Sequence, residues 1–225
     1  MPPHPFQQSQ KSSPAATQTV RIRVTGKVAG VALTFPYDHK IDPAEKPLYR
    51  VPTYEVRVNE LQVFRAIRFG FRGHFERPWD PHRRCDHDGV IAQPEIVAEW
   101  NGAYSPHSFG QGNGQPGGLR IRRDQVYIHE GPTRNGASGT LGCIEITSDH
   151  EADDWNRFLS TIAQDAGTHY VGAAVTAGKV LVTVEAAAVP DGLLVGRLYQ
   201  TNNPRDPGYY LLPGWETATD PWRPE

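Results

Sequence analysis

Period-two alternation of apolar and polar residues, cut into short pieces by glycine and proline, most limits what this chain can fold into. Thr19 to Thr25 (TVRIRVT) puts Val20, Ile22 and Val24 on one side and Arg21 and Arg23 on the other, the pattern of a half-buried strand. Val28 to Phe35 reads as a second strand, paired with the first across a Gly26 to Gly30 turn. Thr53 to Asn59 (TYEVRVN), Val63 to Phe71 (VFRAIRFGF), Ile96 to Trp100, Leu119 to His129, Cys143 to Ile146 and Lys179 to Ala187 continue the series, the last as a β-branched strand closing the sheet. With 22 glycines and 20 prolines in 225 residues, turns are frequent and long helices are not expected. These features predict a mainly β chain of the β-rich α+β class.

One segment changes period. Trp155, Phe158, Leu159 and Ile162 recur at helical spacing, Ser148 and Glu151 occupy capping-box positions, and Gly167 offers a stop, so a helix is predicted over Glu151 to Asp165. Its aromatic stripe reads as core packing. Pro36 to Pro52 reads as loop, because proline supplies no ladder donor. Gly73 to Gln93 reads as a long loop or flap, and Asn101 to Gly118, with six glycines, as a flexible loop bordering a site. Residues 1–18 have the composition of a disordered arm, 19–195 form a single β-rich domain, and 196–225 form a Pro- and Gly-rich tail packing on its surface.

Composition removes several function classes. A formal net charge of -2 provides no basic footprint for nucleic acid, and the runs Arg65 to Arg72 and Arg120 to Arg123 alternate with apolar residues as solvated strand faces do. No stretch of eighteen apolar residues exists, so membrane insertion through a helix is not expected. Met1 to Thr19 lacks the apolar core of a secretory signal, which predicts synthesis in the cytoplasm without a signal peptide. Two cysteines, Cys85 and Cys143, cannot build a disulfide framework, and one bridge between them would silence the thiol considered next.

The chemistry concentrates in Val126-Tyr-Ile-His129-Glu-Gly131 and Ser138-Gly-Thr140-Leu-Gly142-Cys143-Ile-Glu145. An apolar strand ends in a histidine, a Gly/Ser/Thr-rich interval follows, and a cysteine on a glycine turn leads into another apolar strand. Imidazole beside a thiol holds it as the thiolate that attacks carbonyls, so Cys143 is the candidate nucleophile and His129 the candidate base. Backbone N–H groups at Gly142 and Cys143 are candidates for an oxyanion hole, with Ser138 or Thr140 orienting the imidazole. Arg122, Arg123, Arg134 and Tyr127 are candidate substrate contacts, the arginines by bidentate pairing with a carboxylate. His82, Cys85 and His87, with His74, match no common zinc spacing and read as a polar loop near the cleft or at a partner surface, so no metal and no cofactor are predicted.

The histidine ahead of Thr140-Leu-Gly142-Cys143-Ile144 resembles the YkuD-type L,D-transpeptidase catalytic fold, whose signature is a histidine, a variable interval, then Ser/Thr-His-Gly-Cys, an apolar residue and commonly Arg or Asn. Leu141 stands where that family has histidine, Glu145 where it has Arg or Asn, and the interval is shorter. The relaxed Ser-x-Gly-Cys-Ile pattern looks more like the divergent branch that includes the type VI secretion L,D-transpeptidase effectors. Covering roughly residues 95–187, the resemblance implies a mixed sheet or β-sandwich with one main helix after the cysteine. It also implies a cysteine L,D-transpeptidase or L,D-carboxypeptidase acting on peptidoglycan stem peptides. Delivery to the periplasm of a target cell, with an immunity protein or a secretion-apparatus component as partner, would follow from the effector branch. Another thiol amidase or peptidase, and a non-enzymatic β-rich phage or secretion-associated module with an inert Cys143, are the alternatives.

Overall fold

The structure is a computed structural model and describes residues 18–36, 45–71, 80–85, 92–105, 108–109, 116–121, 126–133, 137–140, 142–148, 153–200 and 209–211. Among the described residues fourteen strands and two helices follow in the order β1 (Val20–Thr34), β2 (Glu45–Val58), β3 (Gln62–Ile67), β4 (His82–Arg84), β5 (Gln93–Val97), β6 (Glu99–Asn101), β7 (Ser108–Phe109), β8 (Gly118–Arg120), β9 (Tyr127–Thr133), β10 (Ala137–Ser138), β11 (Ile144–Ser148), α1 (Asp153–Asp165), α2 (Val171–Thr176), β12 (Val180–Val184), β13 (Asp191–Gln200) and β14 (Tyr209–Leu211). The fold is mainly β, as the alternation predicts.

One mixed sheet runs β5-β12-β1-β2-β3-β11-β9-β8-β6, with β10 and β7 attached beside β1, and β13, β4 and β14 beside β2. Most neighbours are antiparallel, but β1 with β12, β1 with β10 and β9 with β11 are parallel. On one face α1 lays Trp155, Phe158 and Ile162 over Val20, Ile22, Val56, Phe64, Ile128, Ile144 and Ile146, with the Phe158 ring edge-on to Phe64 at 5.2 Å. A second cluster gathers Tyr49, Val51, Tyr54, Ile67, Phe69 and Phe71, and a small third one Leu33, Phe35, Leu48 and Ala137. Helix α1 closes as its glycine requires: Gly167 takes a φ of +64°, and the N–H groups of Gly167 and Thr168 donate to the carbonyls of Gln164 and Ala163.

Several expected boundaries move. Val20–Thr34 is one continuous strand rather than a hairpin turning at Gly26–Gly30, because both halves pair with β2, from Ile22 opposite Val58 to Thr34 opposite Tyr49, and the glycines absorb register shifts. At Gly26 an added Cβ would lie 2.6 Å from the Ala186 carbonyl oxygen, so the bulge needs glycine. The buried Arg68 guanidinium donates to the Thr25 carbonyl there at 2.9 Å and also to that of Glu185. Burial pulls its pKa down to about 10, so it stays charged at neutral pH.

From Glu45 onward the proposed loop Pro36 to Pro52 is instead strand β2, and residues 37–44 lie outside the described residues. That strand's outer edge pairs with β13 up to Arg50 and with β3 from Tyr54, so Pro52 falls in the gap between, where a missing donor costs no ladder bond on that edge. Leu119 to His129 is two strands, with Ile121 N–H donating to the Val126 carbonyl to close them as a hairpin. Ile96 to Trp100 divides at Ala98 into β5 and β6. Strand β12 lies between β1 and β5, so β5 takes the sheet edge that Lys179 to Ala187 was expected to occupy. Ser148 ends β11 rather than capping a helix, and Glu151 lies outside the described residues. The boundary drawn at residue 195 falls inside β13, and the arm 1–18 lies outside the described residues except for its last one.

Candidate functional site

The site grows out of the parallel pair β9 and β11. Ile128 lies opposite Ile144 and His129 opposite Glu145. Because side chains alternate, Ile128, Ile144 and Ile146 enter the core under α1, while His129 and Glu145 stand side by side on the other face. Cys143, immediately before β11, extends the row of Glu145 by two residues. Gly131 lets the strands close here: a Cβ on it would sit 2.8 Å from both the Glu145 Cβ and the Ile146 carbonyl oxygen.

The turn that presents Cys143 is stapled by Thr140. Its Oγ1 accepts the Gly142 N–H at 3.0 Å and donates to the Cys143 carbonyl at 3.0 Å. Gly142 adopts a φ of +107°, open to glycine and strained for other residues. Beneath, a Cβ on Gly70 would overlap the Thr140 carbonyl, and one on Gly139 would lie 2.8 Å from the Phe35 ring. The turn is thus seated on backbone at Gly70 and on an aromatic of the third cluster.

The histidine's tautomer follows from its contacts. His129 Nδ1 lies 2.6 Å from the Glu130 carbonyl, which can only accept, so Nδ1 carries the hydrogen and Nε2 is the basic nitrogen of the neutral ring. Nε2 lies 3.8 Å from Glu145 Oε1, with both side chains 1% exposed.

Tyr104, from the glycine-rich segment, completes the cluster. Its hydroxyl lies 3.7 Å from Cys143 Sγ, and its ring stacks on Tyr127 at 4.1 Å and tilts against His129 at 5.1 Å. Burial, reinforced by negative charge at Cys143 and Glu145, pushes the phenol's pKa well above the usual tyrosine value. It therefore stays protonated, so toward a Cys143 thiolate it is the donor. The Gly117 N–H donates to the Tyr104 carbonyl at 2.7 Å, and the Tyr104 N–H to the Asn101 carbonyl at 3.3 Å, which fixes this stretch of the segment. Gly118, level with His129 in the sheet, makes room for the ring: its Cβ would lie 3.1 Å from both Tyr104 and Tyr127.

His129 and Cys143 thus come to one patch, and other expected roles change. Thr140 is engaged within the turn and the imidazole is oriented by the Glu130 carbonyl instead. The Gly142 N–H is committed to Thr140, so of the two expected oxyanion donors that one is engaged within the turn. Tyr127 is buried, accepts a 3.4 Å hydrogen bond from Asn101 Nδ2 and carries Tyr104, so it supports the site from below. Ser138 lies in β10, where its backbone pairs with Thr34 and Ser108. Arg122, Arg123, Arg134, His74 and His87 lie outside the described residues. His82 is exposed in β4, Cys85 is buried at 3% exposure, and neither cysteine is in a disulfide, so no bridge occupies Cys143. Among the described residues no group of metal-ligating side chains forms, and no helix is long and apolar enough to cross a membrane. Tyr104 and the pairing of Glu145 with His129 carry no local sequence signal; the register of two parallel strands brings in Glu145, and stacking on Tyr127 holds Tyr104. Comparison with known protein families, curated proteins and solved structures finds no match for this chain.

Proposed function

We propose that this chain is a cysteine acyl-transfer enzyme of the L,D-transpeptidase or L,D-carboxypeptidase type, acting on peptidoglycan stem peptides through a thioester. The observation that carries the reading is the meeting of the sulfur of Cys143, a partly exposed residue, with a protonated phenol whose ring packs on an imidazole with Nδ1 already committed. With the Cys143 thiol proton already passed to His129 Nε2, the thiolate sulfur attacks the carbonyl preceding a D-residue. The Cys143 N–H receives the developing oxyanion. Collapse breaks the C–N bond, and the leaving amine takes the proton from His129. Water or an amine then attacks the thioester, gives a proton to His129 and releases the sulfur, so the acceptor decides between hydrolysis and transfer. The substrate class and the role as an antibacterial effector delivered to a rival's periplasm rest on the sequence resemblance alone.

Incubation of the purified protein with disaccharide tetrapeptides, with and without added D-amino acids, tests this by mass spectrometry of the products. Loss or exchange of the terminal D-residue is expected, and Cys143→Ala abolishes it. Unchanged tetrapeptides with the wild-type chain overturn the reading, and cleavage confined to L,L bonds replaces it with a different thiol peptidase.

A further inference from the structure

His129 Nδ1 is hydrogen-bonded to the Glu130 carbonyl at 2.6 Å, and Nε2 lies 3.8 Å from Glu145 Oε1, within ion-pair range but longer than a hydrogen bond. A second proton, on Nε2, would therefore face the buried carboxylate, which favours the imidazolium by charge, although burial alone disfavours a charged histidine.

We propose that Glu145 is a positioning residue for the reaction outlined above: its carboxylate holds the imidazolium formed when the Cys143 proton moves to His129 Nε2. The proposal rests on the acyl-transfer reading. The step balances internally, since thiol and imidazole become thiolate and imidazolium beside a carboxylate whose charge is unchanged. Geometry decides its direction. Glu145 lies beside His129 in register, while Cys143 lies just before β11, two residues from Glu145 and about 6–7 Å from it at the rise of an extended chain. The carboxylate therefore stabilises the imidazolium more than it repels the thiolate, and the Tyr104 hydroxyl on the sulfur offsets that repulsion. Among the described residues Tyr104 and Tyr127 lie against the pair, and the buried Glu130 follows His129 in β9, opposite Ile146 of β11. On the far side β3 presents Ile67 opposite Glu145, with Arg65 one alternation further along, opposite Thr147.

The experiment is site-resolved alkylation of the full chain by iodoacetamide from pH 4 to 9, with buried Cys85 as internal reference. Wild-type Cys143 is expected to label quickly on a plateau extending well below the ordinary thiol range. Glu145→Gln should lower that plateau about tenfold, the equivalent of one pKa unit, and leave labelling to rise near pH 8.5. A Glu145→Gln profile superimposable on the wild type, in a protein that melts normally, overturns the proposal. Should that variant not fold, the nitrogen shifts of His129 in the labelled wild-type chain decide: two protonated ring nitrogens at pH 7 support it, and a neutral ring overturns it. Slow labelling of wild-type Cys143, no faster than Cys85, instead removes the nucleophile reading on which the proposal stands.

Discussion

Tyr104 shows what a single hydroxyl contributes to this site. Its ring is held by Tyr127 and its backbone by Gly117 and Asn101, so Tyr104→Phe keeps the packing and removes only the donor to Cys143 Sγ. Hydrogen bonds to charged groups are worth about 1.5–3 kcal/mol, so the thiolate should become harder to form. The expected outcome is an iodoacetamide profile for Cys143 displaced to higher pH, with labelling near neutrality slowed by roughly tenfold and little change in melting temperature. An unshifted profile would mean that the hydroxyl does not act on the sulfur. His129 and Cys143 were legible from sequence because imidazole, glycine turn and thiol lie within one short stretch. Thr140 was legible as a site residue but not in its role, since a hydroxyl beside a glycine turn serves backbone or imidazole equally well until the turn is built. Tyr104 lies 39 residues before Cys143, and nothing local marks it.

At the scale of elements, alternation located β3, β9, β11, β12, the second half of β2 and both halves of β1, missed β13, and could not give register. Register decides the site, because shifting β9 by one residue against β11 would carry His129 to the α1 face. It also decides the charged face of β1 and β2, where Glu55 pairs with Lys27 at 2.5 Å and with Arg57 at 2.6 Å, while Glu60 pairs with Arg23. Hydrogen bonds from Lys27 and then Arg57 hold the Glu55 carboxyl below its ordinary range, and Arg23 does the same for Glu60. A carboxyl whose pKa is lower in the folded chain adds stability above its unfolded value, about 4.3, and loses it as pH falls through the folded value. Thermal melts between pH 7 and 3 should therefore show a steepening loss below about pH 4.3, and Glu55→Gln should flatten part of it. Parallel acid limbs for the two proteins would show that this network adds no pH-dependent stability.

For the whole molecule, the same three strands build two hydrophobic clusters. Strand β1 gives Ile22 and Val24 to the cluster under α1 and Ala32 to the second; β2 divides Val56 and Val58 from Tyr49 and Val51; β3 divides Phe64 from Ile67. Neither cluster can lose its strands without stripping the other, so the two should unfold together although no side-chain pattern in the sequence links them. Phe158, fully buried on α1 against Phe64 and Trp155, reports on the first cluster, and the Cys85 thiol on the second. Phe158→Ala should cost about 3–5 kcal/mol. In urea, exposure of Cys85 to alkylation and the change in tryptophan fluorescence should share one midpoint, and the substitution should lower both equally. Cys85 remaining protected after the fluorescence transition would show that the second cluster stands without the first, and the strands crossing both would then not enforce a single cooperative unit.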